Sequence, residues 1–130
     1  MSGTTMDVRI GRVYDAADDG RLRVLVDRLW PRGMHRDDPR VGEWCKQVAP
    51  STELRRWYGH DPARQQEFEA RYEEELGTPE GRRALADLTA LVAGRPATLV
   101  TATKDVTRSE LPVLLRVLQR EGSGEGASDG

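Results

Sequence analysis

The sequence predicts a single α/β domain, a small β-sheet flanked by helices. Three observations predict it. Three β-forming runs stand at VRIGRVY (8–14), LRVLVD (22–27) and ATLVTAT (97–103). Helical patterns fill the interval between the second and third runs and follow the third, the order expected of a layered α/β fold. A length of 130 residues accommodates one compact domain and not two.

The elements follow in order. The first run is rich in β-branched residues, with Gly11 marking a bulge. The second is short, apolar and ends on Asp27. Only DAADDGR joins them, too short for a parallel crossover of a dozen or more residues, so chain length predicts a hairpin there. Asp38–Pro39 is a cap followed by an N1 proline and predicts a helix with Val41, Trp44, Cys45 and Val48 on one apolar face. That face makes Trp44 a core residue and Cys45 an inert packed thiol. Ser51 caps a second short helix closed by Gly59. Asp61–Pro62 opens a third, with Phe68, Tyr72 and Leu76 as its stripe. Thr78–Pro79 opens a fourth, burying Leu85, Leu88, Leu91 and Val92 and stopping at Gly94. The continuous run 97–103 reads as a strand buried on both faces, parallel to the second strand. The last helix carries Leu111, Leu114, Leu115 and Leu118. Thr107 with Glu110 fits a capping box, but Ser109 as the cap leaves Pro112 harmlessly in the first turn. Residues 1–6 and 121–130 read as flexible tails around a domain of residues 7–120.

Composition narrows the function. Basic and acidic residues nearly balance, 20 against 22, which counts against a nucleic-acid coat but leaves room for a local basic cleft. One cysteine excludes a disulfide framework and a cysteine zinc site. No apolar run approaches the roughly 20 residues of a membrane span, and no signal peptide opens the chain, so a cytoplasmic location is expected. Only Lys46 and Lys104 are lysines. The bias to arginine reflects either codon usage or a need for forks that fit phosphate and carboxylate groups. The phosphate-loop, dinucleotide, serine-hydrolase and zinc-protease motifs are absent, and no cofactor is expected.

The chemistry-bearing residues gather at strand ends. Asp27–Arg28 follows the second strand and Lys104–Asp105 the third, and in open α/β sheets ligands bind beyond the carboxyl ends of parallel strands. The alternative is that these charges pair and merely close the sheet. LWPRGMHR (29–36) holds Trp30 and Arg32 in a Pro-x-Gly loop suited to an anion. APSTELRRWYGHD (49–61) concentrates Ser51, Arg55, Trp57 and His60, with Ser51 and Arg55 one helical turn apart. Capping and core packing are the plainer roles of Ser51 and Trp57. A magnesium site of Asp15, Asp27 and Asp105 would require the first strand to run parallel as well.

VYD (13–15), LVDRLWPRG (25–33), APSTELRRWYGHD (49–61), Phe68, Tyr72, Glu75–Leu76 and TLVTATKD (98–105) together resemble the YeaO-like family, a branch of domain-of-unknown-function family 488, over about residues 7–120. The resemblance implies a small bacterial α/β protein with a mostly parallel sheet flanked by helices, against the hairpin read from chain length. Its characteristic polar positions fall here on Asp27, Arg28, Trp30, Arg32, Ser51, Arg55, Trp57, His60, Lys104 and Asp105. One stretch departs: where the family places Asn and His at the start of the last helix, this chain has VTRSELP (106–112).

These readings converge on a small anionic ligand, phosphorylated or nucleotide-like, in a cleft at the strand ends. Asp27, His60 and Lys104 are the candidate catalytic groups. Arg28, Trp30, Arg32, Ser51, Arg55, Trp57 and Asp105 are the candidate binding groups. A non-catalytic binding or regulatory module using the same cleft is the alternative, and a nucleic-acid accessory role is opposed by acidic segments such as EARYEEEL (69–76).

Overall fold

A computed structural model describes residues 7–17 and 19–122. Four strands, β1 (Val8–Arg12), β2 (Leu22–Leu25), β3 (Glu43–Trp44) and β4 (Ala97–Thr101), form one sheet in the order β1-β4-β2-β3. Every pairing is parallel. Helices α1 (Thr52–Tyr58), α2 (Gln65–Leu76), α3 (Pro79–Val92) and α4 (Leu111–Gly122) contribute buried residues to one core on a single face of the sheet, with Val24, Val26 and Leu99 of the strand segments. The continuous apolar run of β4 is explained by its place: it lies between β1 and β2 and is buried at every position. The tails expected at 1–6 and 121–130 lie outside the described residues, except that α4 continues through Gly122. No helix among the described residues is long and apolar enough to cross a membrane.

The hairpin expected between the first two strands does not form. β1 and β2 are parallel and not even neighbours. The length rule assumes that a parallel crossover contains a helix, and this one does not. The described residues of this connection, 13–17 and 19–21, return as irregular coil across the sheet face opposite the helices. Nine extended residues reach about 30 Å, ample against a strand of roughly 17 Å. Coil on a sheet needs partners for its carbonyls, and the buried side chain of Arg23, on β2, supplies them. Its Nη2 donates to the carbonyls of Arg12, Val13 and Asp15 at 3.3, 3.2 and 3.1 Å, and its Nε to that of Arg40 at 2.7 Å. Arg21 works beside it, donating to Ala97 O at 2.6 Å, Asp7 O at 3.0 Å and Thr98 Oγ1 at 3.1 Å. Under this coil sits a second, smaller core of Val13, Leu25, Met34 and Val100. Gly11 is no bulge: it pairs in regular register with Val100.

The helix expected after Asp38 is also replaced. The Asp38 carboxylate accepts from the backbone and guanidinium of Arg40, closing a turn in place of a helix cap, and that contact holds its pKa at about 2. Gly42 N then donates to Arg23 O and Cys45 N to Leu25 O, drawing the segment alongside β2 as the two-residue β3. A single 3-10 turn over Lys46–Val48 follows. Trp44 is therefore not a core residue on a helix stripe. It is half-buried, donates Nε1–H to Asp27 O at 2.7 Å, and meets Trp30 edge-on at 5.3 Å. Cys45 packs half-buried against the helical core, and burial pushes its thiol pKa up.

The remaining helices follow their caps. Ser51 Oγ accepts from Leu54 N, Gly59 closes α1 at φ 53°, and Thr78 Oγ1 accepts from Gly81 N. Asp61–Pro62 opens a 3-10 turn that runs into α2, whose Phe68, Tyr72 and Leu76 are buried. Gly81 serves a further purpose. A Cβ there would lie 2.1 Å from Glu75 O and 2.8 Å from Leu76 Cα, so α3 crosses the end of α2 at backbone contact.

Two outcomes test this account. Helix propensity alone predicts a gain of about 1 kcal/mol for Gly81→Ala. The backbone contact should reverse the sign and cost about 1–3 kcal/mol by overpacking, measured by urea unfolding. Arg23→Met should cost about 3 kcal/mol or more, because the buried carbonyl of Val13 and several partly buried ones lose their donor at about 1–3 kcal/mol each. Arg23→Lys should recover only part of the loss, since an ammonium cannot spread its donors as a fork does.

Candidate functional site

Because all four strands are parallel, their carboxyl ends open on one edge of the sheet. The segments following β2 and β4 meet there with α1 and the approach to α4, around a cavity of about 300 Å³. Its buried side is made by Tyr58, Phe68, Ser109 and Glu110, and its exposed side by Leu29, Arg55, Arg56, His60 and Arg108. Tyr58 stacks on Phe68 at 4.2 Å and donates its hydroxyl to Arg108 O at 2.9 Å. His60 reaches the cavity by an unusual backbone: it follows left-handed Gly59 and is itself at φ 58°. An adjoining depression shares His60, Thr103 and Arg108 and adds Lys104 and Asp105.

Asp27 lies beneath this surface, 8% exposed. Its carboxylate accepts from Thr101 Oγ1 at 2.7 Å and Ala102 N at 2.8 Å, which ties the end of β2 to the end of β4. Near it sits Glu110, 6% exposed, close enough for the Asp27 charge to act on its carboxyl. No donor among the described residues reaches Glu110 Oε2. A buried carboxyl with no donor on Oε2 and a negative neighbour favours its protonated form. Burial drives the pKa of Glu110 well above the ordinary carboxyl range, the Asp27 charge pushes it further, and Arg55 opposes both.

The structure brings Arg55 and His60 to the cavity and Lys104 and Asp105 to the adjoining depression. Asp105 also caps the 3-10 turn Val106–Arg108 through Thr107, and its carboxylate stands 3.6 Å from Arg108 Nε. The other expected residues lie elsewhere. Arg28 is spent on backbone, donating to Pro50 O at 3.1 Å and Ala49 O at 3.0 Å. Ser51, the expected anion contact at the start of α1, already holds a carboxylate. Its N–H and hydroxyl donate to Glu75 Oε1 and Oε2 at 2.8 and 2.6 Å. Trp57 lies under Arg64 and Arg71, beside Ser51 and away from the cavity. Trp30 donates to Met34 O and belongs with Arg32 to the coil-covered side, where Tyr14 Oη donates to Arg32 O. β1 does run parallel, as a magnesium site of Asp15, Asp27 and Asp105 would require. Yet among the described residues no group of three or more His, Cys, Asp or Glu side chains is placed to hold a metal.

Sequence reasoning missed Glu110, treating it only as part of a capping box. In the fold it immediately precedes α4, where Leu114 N bonds its carbonyl and Ser109 Oγ accepts from Leu111 N. A signal was present. Leu111, Val113 and Leu114 are fully buried in the first turn of α4, so an acid directly before them has little access to water.

Residues 7–129 match the family described as the inactive DUF488-N3 subclade. An uncharacterized protein of Mycobacterium tuberculosis strain H37Rv is 53% identical over 112 residues, 85% of this chain and 92% of that protein. The uncharacterized protein YeaO of Escherichia coli K12 is 40% identical over 113 residues, 84% of this chain and 94% of its own length. No solved structure matches the chain significantly.

The buried pair predicts a pH dependence of stability. A carboxyl whose pKa is raised by folding contributes fully below its unfolded value and loses that contribution as pH rises through the folded value. Glu110→Gln cannot ionise. Relative to the parent chain it should therefore gain stability as pH climbs from about 5 to about 9. Urea midpoints across that range measure the gap, and a gap that stays constant or narrows contradicts the buried acid.

Proposed function

The chain belongs to the DUF488 family, in the subclade described as inactive DUF488-N3, and from that premise we propose that it is a non-catalytic binder of a small anionic ligand. The ligand is phosphorylated or nucleotide-like and sits in the arginine-rimmed cavity beyond β2 and β4. One observation carries this reading. Arg55 and Arg56 both line the cavity, and among the described residues neither side chain makes a hydrogen bond or a salt bridge, although the Arg55 charge acts on Glu110. Neighbouring arginines are engaged: Arg28 by carbonyls, Arg71 by Glu67, Arg108 by Asp105 and Arg116 by Glu73. Two exposed guanidinium groups on the rim of one cavity present forks that suit phosphate oxygens. The Tyr58–Phe68 stack gives the same cavity an apolar wall for a flat ring.

Binding without turnover fits the rest of the site. Asp27 is sunk beneath Thr101 and Ala102 and lines neither hollow, so an acid or base there does not reach a ligand directly. The stretch 106–112 lacks the Asn and His of the wider family.

Thermal shift and calorimetric titration with inorganic phosphate, ribose 5-phosphate and nucleoside mono- and diphosphates test the proposal. At least one should raise the melting temperature. The double variant Arg55→Ala/Arg56→Ala should lose tenfold or more in affinity, as expected when charge-assisted hydrogen bonds of about 1.5–3 kcal/mol each are removed. Both side chains are exposed, so the variant should fold. Failure of every compound to bind, or equal binding by the double variant, refutes the site.

A further inference from the structure

We propose that the Asp27–Glu110 pair couples one proton to the anion site: the cavity takes its anion while the pair holds a proton and releases it when the second carboxyl ionises. This inference rests on the anion-binding reading above and adds its regulation. The geometry carries it. Glu110, just before α4, is buried and lines the cavity, and no donor among the described residues reaches its sealed Oε2, while the buried Asp27 carboxylate after β2 acts on it as a neighbouring charge.

The charged and titratable groups facing the pair come from every side. Arg55 approaches from α1 and Tyr72 from α2, with its hydroxyl committed to Val48 O. Arg28 follows β2 with its guanidinium on Ala49 and Pro50, while Arg108 precedes α4 and His60 closes the cavity after α1. Singly protonated, the pair carries one negative charge, shared out among Thr101 Oγ1 and Ala102 N. Arg55 is then free to turn its guanidinium to a ligand. When Glu110 loses its proton, two effects act with the same sign. A new buried charge repels the anion across the cavity, and it draws Arg55 inward as its own counter-ion. By linkage the reverse also holds: an anion bound to Arg55 removes that counter-ion and makes Glu110 hold its proton more tightly. The proton goes from solvent to the carboxyl pair on binding and returns on release, with no covalent change.

Sulfate is the probe, because it stays a dianion over the working range. Calorimetry from about pH 5 to about pH 9, in buffers of different ionisation heat, counts the protons taken up per sulfate bound. His60 is the other titratable group on the cavity, so the measurements use His60→Asn, an exchange that tolerates the left-handed backbone. Sulfate should bind at least about fivefold more tightly at the acid end, within the usual range for coupled sites, and with net proton uptake. Both effects should vanish in His60→Asn/Glu110→Gln. Binding that depends on Arg55 and Arg56 but shows no uptake, or an uptake that survives Glu110→Gln, overturns the coupling and leaves the anion site standing. No sulfate binding at any pH overturns both. Should Glu110→Gln not fold, the Glu110 carboxyl resonance of the parent chain gives the answer. Its titration midpoint should rise when sulfate is added, and an unchanged midpoint overturns the coupling.

Discussion

The guanidinium of Arg23 is the interaction on which the sheet depends. A parallel sheet requires each strand to begin where its predecessor began, and the chain must therefore travel back between them. Helical crossovers satisfy their own backbone on the way. The β1–β2 connection has no helix, so its carbonyls need a donor from outside, and one buried fork reaches the backbone at Arg12, Val13, Asp15 and Arg40. Burial of that charge is made tolerable by the carbonyls themselves and by Asp15, Asp19 and Asp38 nearby. With the return path fixed, β4 can enter between β1 and β2, and the strand ends that build the cavity line up.

A second point of convergence is Glu75. Its carboxylate holds the start of α1 through Ser51, its carbonyl accepts from Thr78, and Gly81 packs against that carbonyl. One residue thus sets the corner where α1, α2 and α3 meet. It also moves the anion chemistry. The start of α1 is satisfied internally, and the guanidinium groups of Arg55 and Arg56, about one turn further along the chain, line the cavity instead. Capping and recognition, which the sequence reading assigned to the same stretch of residues, are divided between the two sides of a seven-residue helix.

The sequence was legible where local chemistry decides structure. Ser51, Asp61 and Thr78 cap where their types say they should, and the Phe68–Tyr72–Leu76 stripe is buried as its spacing requires. The centrality of β4 was legible in its unbroken apolar run. It was illegible where a distant partner overrides a local signal. Asp38–Pro39 carries every mark of a helix start, but the pairing of Gly42 and Cys45 with β2 claims the segment. Chain length between β1 and β2 spoke for a hairpin because a single arginine's long reach leaves no trace in spacing. At the candidate site, the strand-end residues lie on one edge of the sheet as read, and residues that carry both capping and charge were not separable. Ser51 and Arg28 look like ligands in sequence and are spent on the fold, whereas Glu110 looks like a cap and is a buried acid.

The two faces of the sheet are unequally insulated. The helical side buries many large side chains, while the coil-covered side rests on Val13, Leu25, Met34 and Val100 with the Trp30–Trp44 contact at its margin. Opening a segment costs free energy in proportion to the apolar contacts it breaks, so the coil side is the lower-energy route for local unfolding. Amide protons along residues 28–40 should therefore exchange with solvent ahead of those in β4, which is bonded on both sides by β1 and β2. Asp27 stands on that boundary, its carboxylate on the slow strand and its backbone at the head of the fast coil. Loosening on the side away from the helices is thus tied, through Asp27, to the end of β4.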